Sequence, residues 1–269
     1  MGLAQLSHHL PRVRHQLGKP LSLGGRDYRV RGYLANRQAV TLGHEPHLMA
    51  PLRRALAARP GAFVDVGVNT GQTLLKVLSI DPERAYLGFE PQIGCAFCVQ
   101  QFLADNDLTQ ARVVPVALSD RDGMAGLHAA GLFDEMASLT KERGTMELPV
   151  ALRTGDAVLP ELGVDAPGII KVDVEGAELE VLRGLRKTLT RARPILFFEV
   201  LPNFTGEDRI PLPCDIASRN RQRAAEIWDL LTGLGFAIRQ IDDLGEEHLI
   251  DGFELGDRTR FIGRDYVAV

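Results

Sequence analysis

Apolar residues in this chain gather in short runs separated by amphipathic stretches, and the order of the two predicts a layered α/β fold. Residues 62–67 (Ala-Phe-Val-Asp-Val-Gly) read as a buried strand, followed by a helix starting near Gly71. Residues 85–90 are a second strand, and Pro91 suits the first turn of the next helix, where a missing N–H costs no intrahelical bond. Residues 112–118, 169–174 and 195–200 give a third, fourth and fifth strand, with a helix over 176–190 between the last two. That helix carries Glu178 and Glu180 early and Lys187 and Arg191 late, in keeping with the helix dipole. Strands that are short, apolar throughout and separated by helices form parallel sheets covered on both faces.

The flanking and intervening segments follow other patterns. Residues 28–33 alternate loosely, as a short hairpin strand does. Residues 45–58 read as a helix with Leu48, Leu52 and Leu56 on one face, stopped by Pro60-Gly61. Residues 1–60 are therefore expected to form an N-terminal hairpin and helix packed on the core, and residues 61–269 the main domain. Within 120–158 the alternating segments 124–129 and 147–152 predict a small β insertion before the fourth strand. Residues 201–221 are rich in Pro and polar side chains and read as a connection, either over a substrate or along the surface. The chain then predicts a helix over 222–234 and strands near 236–241 and 260–269.

Composition narrows the class. The 269 residues are 45% hydrophobic and 25% charged, which excludes a disordered or fibrous chain. With 31 basic and 35 acidic residues the formal charge is −4, the mark of neither a nucleic-acid-binding face nor an acidic tail. Three cysteines make no disulfide framework and fit a reducing compartment. No signal-like apolar core follows the start, and Met1-Gly2 lacks the Ser or Thr of an acylation site, since Leu6 stands there. The most apolar run, 194–202, contains Glu199 and is too short to span a bilayer. A soluble cytoplasmic protein is expected, with no membrane span and no nucleic-acid partner.

The chemistry gathers at the strand ends. Residues 64–71 (Val-Asp-Val-Gly-Val-Asn-Thr-Gly) lie where a strand turns into a helix, at the sheet edge where open α/β folds bind ligands. Asn69 and Gln72 break the dinucleotide fingerprint, and no Gly-Lys-Ser/Thr follows to make a phosphate-cradling loop. Asp65 inside the strand suits a ligand with a positive centre better than a pyrophosphate. Glu90 closes the second strand, near the spacing at which an acid accepts bonds from both ribose hydroxyls; helix capping is its bland alternative. Asp173 and Glu175 close the fourth strand and point the same way if that strand continues. Substrate contact, proton acceptance and metal binding stay open for them, beside capping by Glu175 and a salt bridge to Lys171. Glu199 closes the fifth strand, so Asp65, Glu90, Asp173 and Glu199 would line one edge of one sheet.

These blocks, in order, are Phe63-Val64-Asp65-Val66-Gly67-x-Asn69-x-Gly71, Phe89-Glu90-Pro91, Val116-Ala117-Leu118-Ser119-Asp120, Ile170-Lys171-Val172-Asp173-Val174-Glu175-Gly176-Ala177-Glu178 and Leu196-Phe197-Phe198-Glu199. Over about residues 45–200 they resemble the FkbM family of S-adenosylmethionine-dependent methyltransferases, with the Asp-Val-Glu-Gly-Ala-Glu block the most specific element and Glu45 in keeping. Val68 departs from the usual Ala, and the resemblance fades after Asn203. It implies a Rossmann-like class I methyltransferase domain over 61–269, with a mostly parallel seven-stranded sheet, its last strand antiparallel, and helices on both faces. It implies Asp65, Gly67, Asn69 and Gly71 around the methionine part of S-adenosylmethionine, Glu90 on the ribose, and Ala117, Leu118 and Ser119 near adenine. Asp173, counted with cofactor and acceptor alike, and Glu175 would face the methyl group. The implied partner is a small molecule or glycan bearing a hydroxyl.

In-line methyl transfer to a hydroxyl needs alignment and removal of one proton. Asp173 is the first candidate for that contact, Glu175 the second and Glu199 the third. No metal ligand set is assigned. A metal-assisted reaction, an amine acceptor and a non-catalytic nucleoside-binding protein are the alternatives. Among other features, Cys95 and Cys98, with only Cys214 elsewhere, read as core residues rather than a zinc site. His44 and His47 read as surface histidines. His248 reads as part of a solvated turn, Arg219, Arg221 and Arg223 as a solvated helix start, and Trp228 as core.

Overall fold

The computed structural model describes residues 20–30, 45–131, 137–140, 146–205, 210–255 and 264–269. Expectations that rest on Met1-Gly2, Leu6 and His44, and on residues 31–33 and 260–263, lie outside the described residues.

Strands β1 (Leu21–Leu23) and β2 (Arg26–Tyr28) form a hairpin through Gly24-Gly25. Both glycines have positive φ, as a tight two-residue turn requires. The hairpin thus lies upstream of the expected 28–33 strand, because this glycine pair sets the turn. A 3₁₀ turn (Pro46–Leu48) leads into α1 (Met49–Ala58). Then follow β3 (Phe63–Val66), α2 (Gln72–Ile80), β4 (Tyr86–Phe89), α3 (Ile93–Asp105) and β5 (Ala111–Val114). Next come β6 (Ala117–Ser119), β7 (Gly123–Ala129), β8 (Met146–Thr154), α4 (Gly155–Glu161) and β9 (Ile169–Val172). After these come α5 (Glu178–Gly184), α6 (Arg186–Ala192) and β10 (Ile195–Glu199). The chain ends with β11 (Phe204–Thr205), β12 (Ile210–Pro211), α7 (Cys214–Gly233), β13 (Ile238–Ile241), β14 (Glu247–Leu249) and β15 (Asp265–Ala268).

The main sheet has the order β14-β13-β15-β10-β9-β3-β4-β5. Strands β5, β4, β3, β9 and β10 are mutually parallel, and β15 runs antiparallel to both β10 and β13. This is the expected mostly parallel sheet with an antiparallel last strand, extended at one edge by β14 as the hairpin partner of β13. The β insertion before the fourth parallel strand is a separate three-stranded sheet, β6-β8-β7.

Alternate residues of each parallel strand serve opposite layers. Phe63, Tyr86, Ile169 and Phe197 pack with Leu52 and Leu56 of α1, Leu74 and Leu78 of α2, and Phe102 of α3. Val64, Leu87, Ile170, Val172 and Leu196 pack with Leu159 of α4, Leu182 of α5, Leu189 of α6 and Ile227 and Leu231 of α7. Leu182 is fully buried at the centre of the second layer. Leu182→Ala should lower the unfolding free energy by about 2–5 kcal/mol, read as a lower denaturant midpoint at unchanged slope.

Three expected elements are divided or extended. The strand over 112–118 breaks at Pro115, which has no N–H for the ladder; Ala117–Ser119 leaves the main sheet and pairs with β8. The helix over 176–190 is two helices. The backbone N–H groups of Lys187 and Thr188 donate to the Asp156 carboxylate at 2.9 and 2.8 Å, giving α6 its own N-terminal cap. The 201–221 connection ends early, because α7 starts at Cys214, behind Pro213. Its polar first turns look loop-like in sequence because they form a charged face, on which Arg223 donates to Glu180 at 2.8 Å.

Candidate active site

Register brings the acids together. Val66 pairs with Phe89 and Val172, and Val172 pairs with Phe198. The next residue of each strand is therefore Gly67, Glu90, Asp173 and Glu199, one row along the carboxyl edge. Asp65 lies two positions back on β3, on the same side of the sheet, beside Lys171 of β9. Gly67, the one position of the row without a side chain, separates Glu90 from Asp173.

A cleft of about 580 Å³, open to solvent, runs along this edge. Its lining combines polar side chains, Asn69, Glu90, Asp173 and Glu175, with apolar ones, Val116, Ala117, Leu118, Leu127, Ala137 and Leu139. The β3–α2 turn forms its floor. Gly67 has φ +93°, and a Cβ there would lie 1.8 Å from the Asp173 carbonyl oxygen. Val68 is accommodated by Gly88 across the sheet, where a Cβ would meet the Val68 side chain at 2.4 Å. Asn69 takes a left-handed conformation, φ +53°, which Asn tolerates. Its N–H donates to Glu90 Oε2 at 2.7 Å, and the N–H of Gln92 donates to Glu90 Oε1 at 2.8 Å. Each carboxylate oxygen keeps a further lone pair. Glu175 is also left-handed, φ +55°, and Gly176 follows with φ +108°. This bend is pinned by Glu178, whose Oε1 accepts from Val174 and Gly176 N–H, and by Ser138, whose hydroxyl donates to the Glu175 carbonyl at 2.9 Å.

Behind the turn, Asp65 is fully buried and accepts a bond from the Tyr86 hydroxyl. Its Oδ1 is buried with no hydrogen-bond partner among the described residues. Lys171 donates to Asp173 Oδ2 at 2.6 Å. Lys76, also fully buried, donates to Glu45 at 3.0 Å. A second, narrower cleft of about 270 Å³ lies between the turn before α1 and the ends of β9, β10 and β15. Leu48, Leu52, Asp173, Glu199, Asp265 and Tyr266 are among its lining residues. Glu199 pairs with Arg264 at 3.0 Å, and Asp265 pairs with His47 at 2.9 Å. Asp173 is the residue common to both linings.

The sheet edge thus gathers Gly67, Asn69, Glu90, Ala117, Leu118, Asp173 and Glu175 on one cleft. Asp65, Gly71 and Ser119 are buried outside its lining, with Gly71 capping α2, and Glu199 lies on the second cleft. Sequence reasoning missed the wall contributed by Leu127, Ala137 and Leu139; the salt bridge to Lys171 that it weighed is present and is made by Asp173. The two-residue spacing on one strand face was the signal for that pair. Among the described residues no group of three or more His, Cys, Asp or Glu is placed to hold a metal. His248 pairs with Asp242 on the β13–β14 hairpin, Trp228 packs edge-on against Phe253, and Cys95 lines the first cleft.

Burial pushes the Asp65 carboxyl up to about 6 and those of Glu90 and Glu178 each to about 7. Burial and then the charge of Asp173 hold Glu199 well above the usual carboxylate range. Between about pH 4.5 and 7 the folded chain keeps protons that the unfolded chain has lost, so these groups make stability fall as pH rises through that window. Glu178→Gln, whose amide oxygen can still accept the same N–H groups, should therefore gain in unfolding temperature over the wild type at pH 8 relative to pH 5. An equal difference at both pH values would refute this assignment.

A family model described as the methyltransferase FkbM domain matches residues 65–238. The chain belongs to the FkbM methyltransferase family. It is 26% identical over 166 residues to the 2-O-methyltransferase NoeI of Sinorhizobium fredii, covering 56% of this chain and 67% of that protein. It is 29% identical over 154 residues to the methyltransferase sdnD of Sordaria araneosa, covering 46% of this chain and 60% of that relative. The match therefore spans about two thirds or less of either relative. Among solved structures, the FkbM methyltransferase of Methylobacillus flagellatus aligns at TM-score 0.46 and 14% identity, over 78% of this chain and 44% of that one. The fibrillarin of Aeropyrum pernix, solved with S-adenosyl-L-methionine, aligns at TM-score 0.46 and 12% identity, over 96% and 85%.

The FkbM chain is thus a Rossmann-like S-adenosylmethionine-dependent methyltransferase, and its cleft suits that cofactor. Its lining offers carboxylates and an amide to polar groups and apolar side chains to a flat ring. Gly67 lines this cleft with its backbone alone, and the unpartnered Asp65 Oδ1 lies behind the turn, two residues back on β3. Among the described residues no helix is long and apolar enough to cross a membrane.

Proposed function

We propose that this FkbM methyltransferase transfers a methyl group to a hydroxyl of a small molecule or glycan, in a cytoplasmic setting suited to its three free thiols. The observation that carries the reading is the position of Asp173, on the linings of both clefts and held by Lys171. A methyl donor in the larger cleft and an acceptor reaching Asp173 meet there. The name of the relative NoeI, a 2-O-methyltransferase, supports a hydroxyl acceptor.

Bound S-adenosylmethionine supplies an already activated methyl group. In our reading Gly67, Asn69 and Gly71 shape the turn that would hold its amino-acid end, with Asp65 and Asp173 as the nearby charges. Glu90 would accept from the ribose hydroxyls through its remaining lone pairs, and Ala117 and Leu118 would flank adenine, with Ser119 supporting them from behind. Asp173 orients the acceptor oxygen and takes its proton as the new bond forms. Glu175, on the bend above, and Glu199, on the narrower cleft, are the second and third groups available to position the acceptor. Orientation in such a displacement is worth about 7–11 kcal/mol in favourable cases, and a placed base adds about 10²–10⁴-fold.

The test is incubation with methyl-tritiated S-adenosylmethionine and a panel of methyl glycosides and aliphatic alcohols, beside primary amines. Label is expected in hydroxyl acceptors. Label in amines alone would overturn the proposal.

A further inference from the structure

The carboxyl edge is crowded with acids, and the buried Lys171 lies beneath it. Lys171 shares a strand face with Asp173, two residues on, and donates to it at 2.6 Å. In the row below it stands beside Asp65. Lys171 is 4% exposed, so water screens its charge little. The neighbouring Lys76 pairs with Glu45, and Arg264 with Glu199, so Lys171 is the cation paired to the acid shared by both clefts. Burial works against its charge, but Asp173, Asp65 and Glu45 outweigh that and hold it protonated.

The cofactor of this family carries a positive sulfonium, and its product, S-adenosylhomocysteine, is a neutral thioether. An edge of uncompensated carboxylates would favour the cation in the ground state, and stabilisation lost as the charge disperses opposes the reaction. We propose that Lys171 is a positioning residue that holds Asp173 at the junction of the clefts and offsets the negative field of the acidic edge. The site then does not hold the cationic cofactor much more tightly than its neutral product. This inference rests on the cofactor assignment and on no particular acceptor.

The test is calorimetric measurement of the dissociation constants of S-adenosylmethionine and S-adenosylhomocysteine, at low ionic strength, on the wild type and three variants. Lys171→Met should raise the preference for S-adenosylmethionine by about five-fold or more, and Asp173→Asn should lower it by a similar factor. The double variant, which removes the pair, should return near the wild-type ratio. A Lys171 that only supported the fold would lower the unfolding temperature and leave the ratio unmoved, and a ratio within two-fold of wild type in Lys171→Met overturns the proposal. If that variant does not fold, the double variant against Asp173→Asn makes the same comparison: a rise supports the proposal and an unchanged ratio overturns it. Failure of the wild type to bind either nucleoside would overturn the cofactor assignment, and the proposal with it.

Discussion

Asp173→Asn should leave S-adenosylhomocysteine bound and cut methyl transfer by about 10²-fold or more, the amount a placed base typically contributes. The two halves of this expectation have separate physical causes. The Asp173 main chain belongs to the cofactor turn: its N–H donates to Val66 at 2.9 Å, and its carbonyl is the atom against which Gly67 packs. Asn changes neither, and its volume is that of Asp. What Asn loses is the charge that meets Lys171 and the ability to accept a proton. The variant therefore leaves a buried ammonium without its hydrogen-bonded anion, so a lower unfolding temperature is also expected. Turnover must accordingly be normalised to the sites that bind S-adenosylhomocysteine. Turnover close to wild type on that basis would remove Asp173 from the reaction and leave Glu175 and Glu199 as the groups to substitute next.

The fold was legible in this sequence wherever strands are buried on both faces. Runs such as Phe63–Val66 and Ile169–Val172 have no polar alternation to confuse their period, and each is followed by a helix. The acids were legible for the same reason, since a carboxylate ending an apolar run stands out and register then aligns Glu90, Asp173 and Glu199. What could not be read locally was anything decided by a distant partner. The helix over 176–190 divides because Asp156, from α4, caps its second half. The polar start of α7 is helical because Arg223 finds Glu180 some forty residues earlier in the chain. The lining of the cleft draws Leu127 and Leu139 from the small β insertion, whose docking no strand-end pattern announces. Glu199 belongs to the same row as Asp173 yet lies on the other cleft, because β15 places Asp265 directly opposite it.

Gly67→Ala should be among the most damaging single changes in the chain. A Cβ built at this position would sit 1.8 Å from the Asp173 carbonyl oxygen and 2.8 Å from its carbon, both backbone atoms that cannot rotate away. The backbone there is also left-handed, φ +93°, which an L-residue adopts only with strain. Relief requires β3 and β9 to separate at the point where Asp173 N–H bonds Val66, in the middle of the sheet. Steric overlap in a packed interior and backbone strain add, so a loss on the order of 3–5 kcal/mol is expected, near the upper range for one substitution. The same movement displaces Asp173 from the turn and opens the floor of the cleft. Binding of S-adenosylhomocysteine should therefore be lost even in whatever fraction stays folded, which separates this variant from Leu182→Ala, expected to lose stability while its folded fraction binds normally. Wild-type affinity in Gly67→Ala would mean that the turn is not the cofactor's floor.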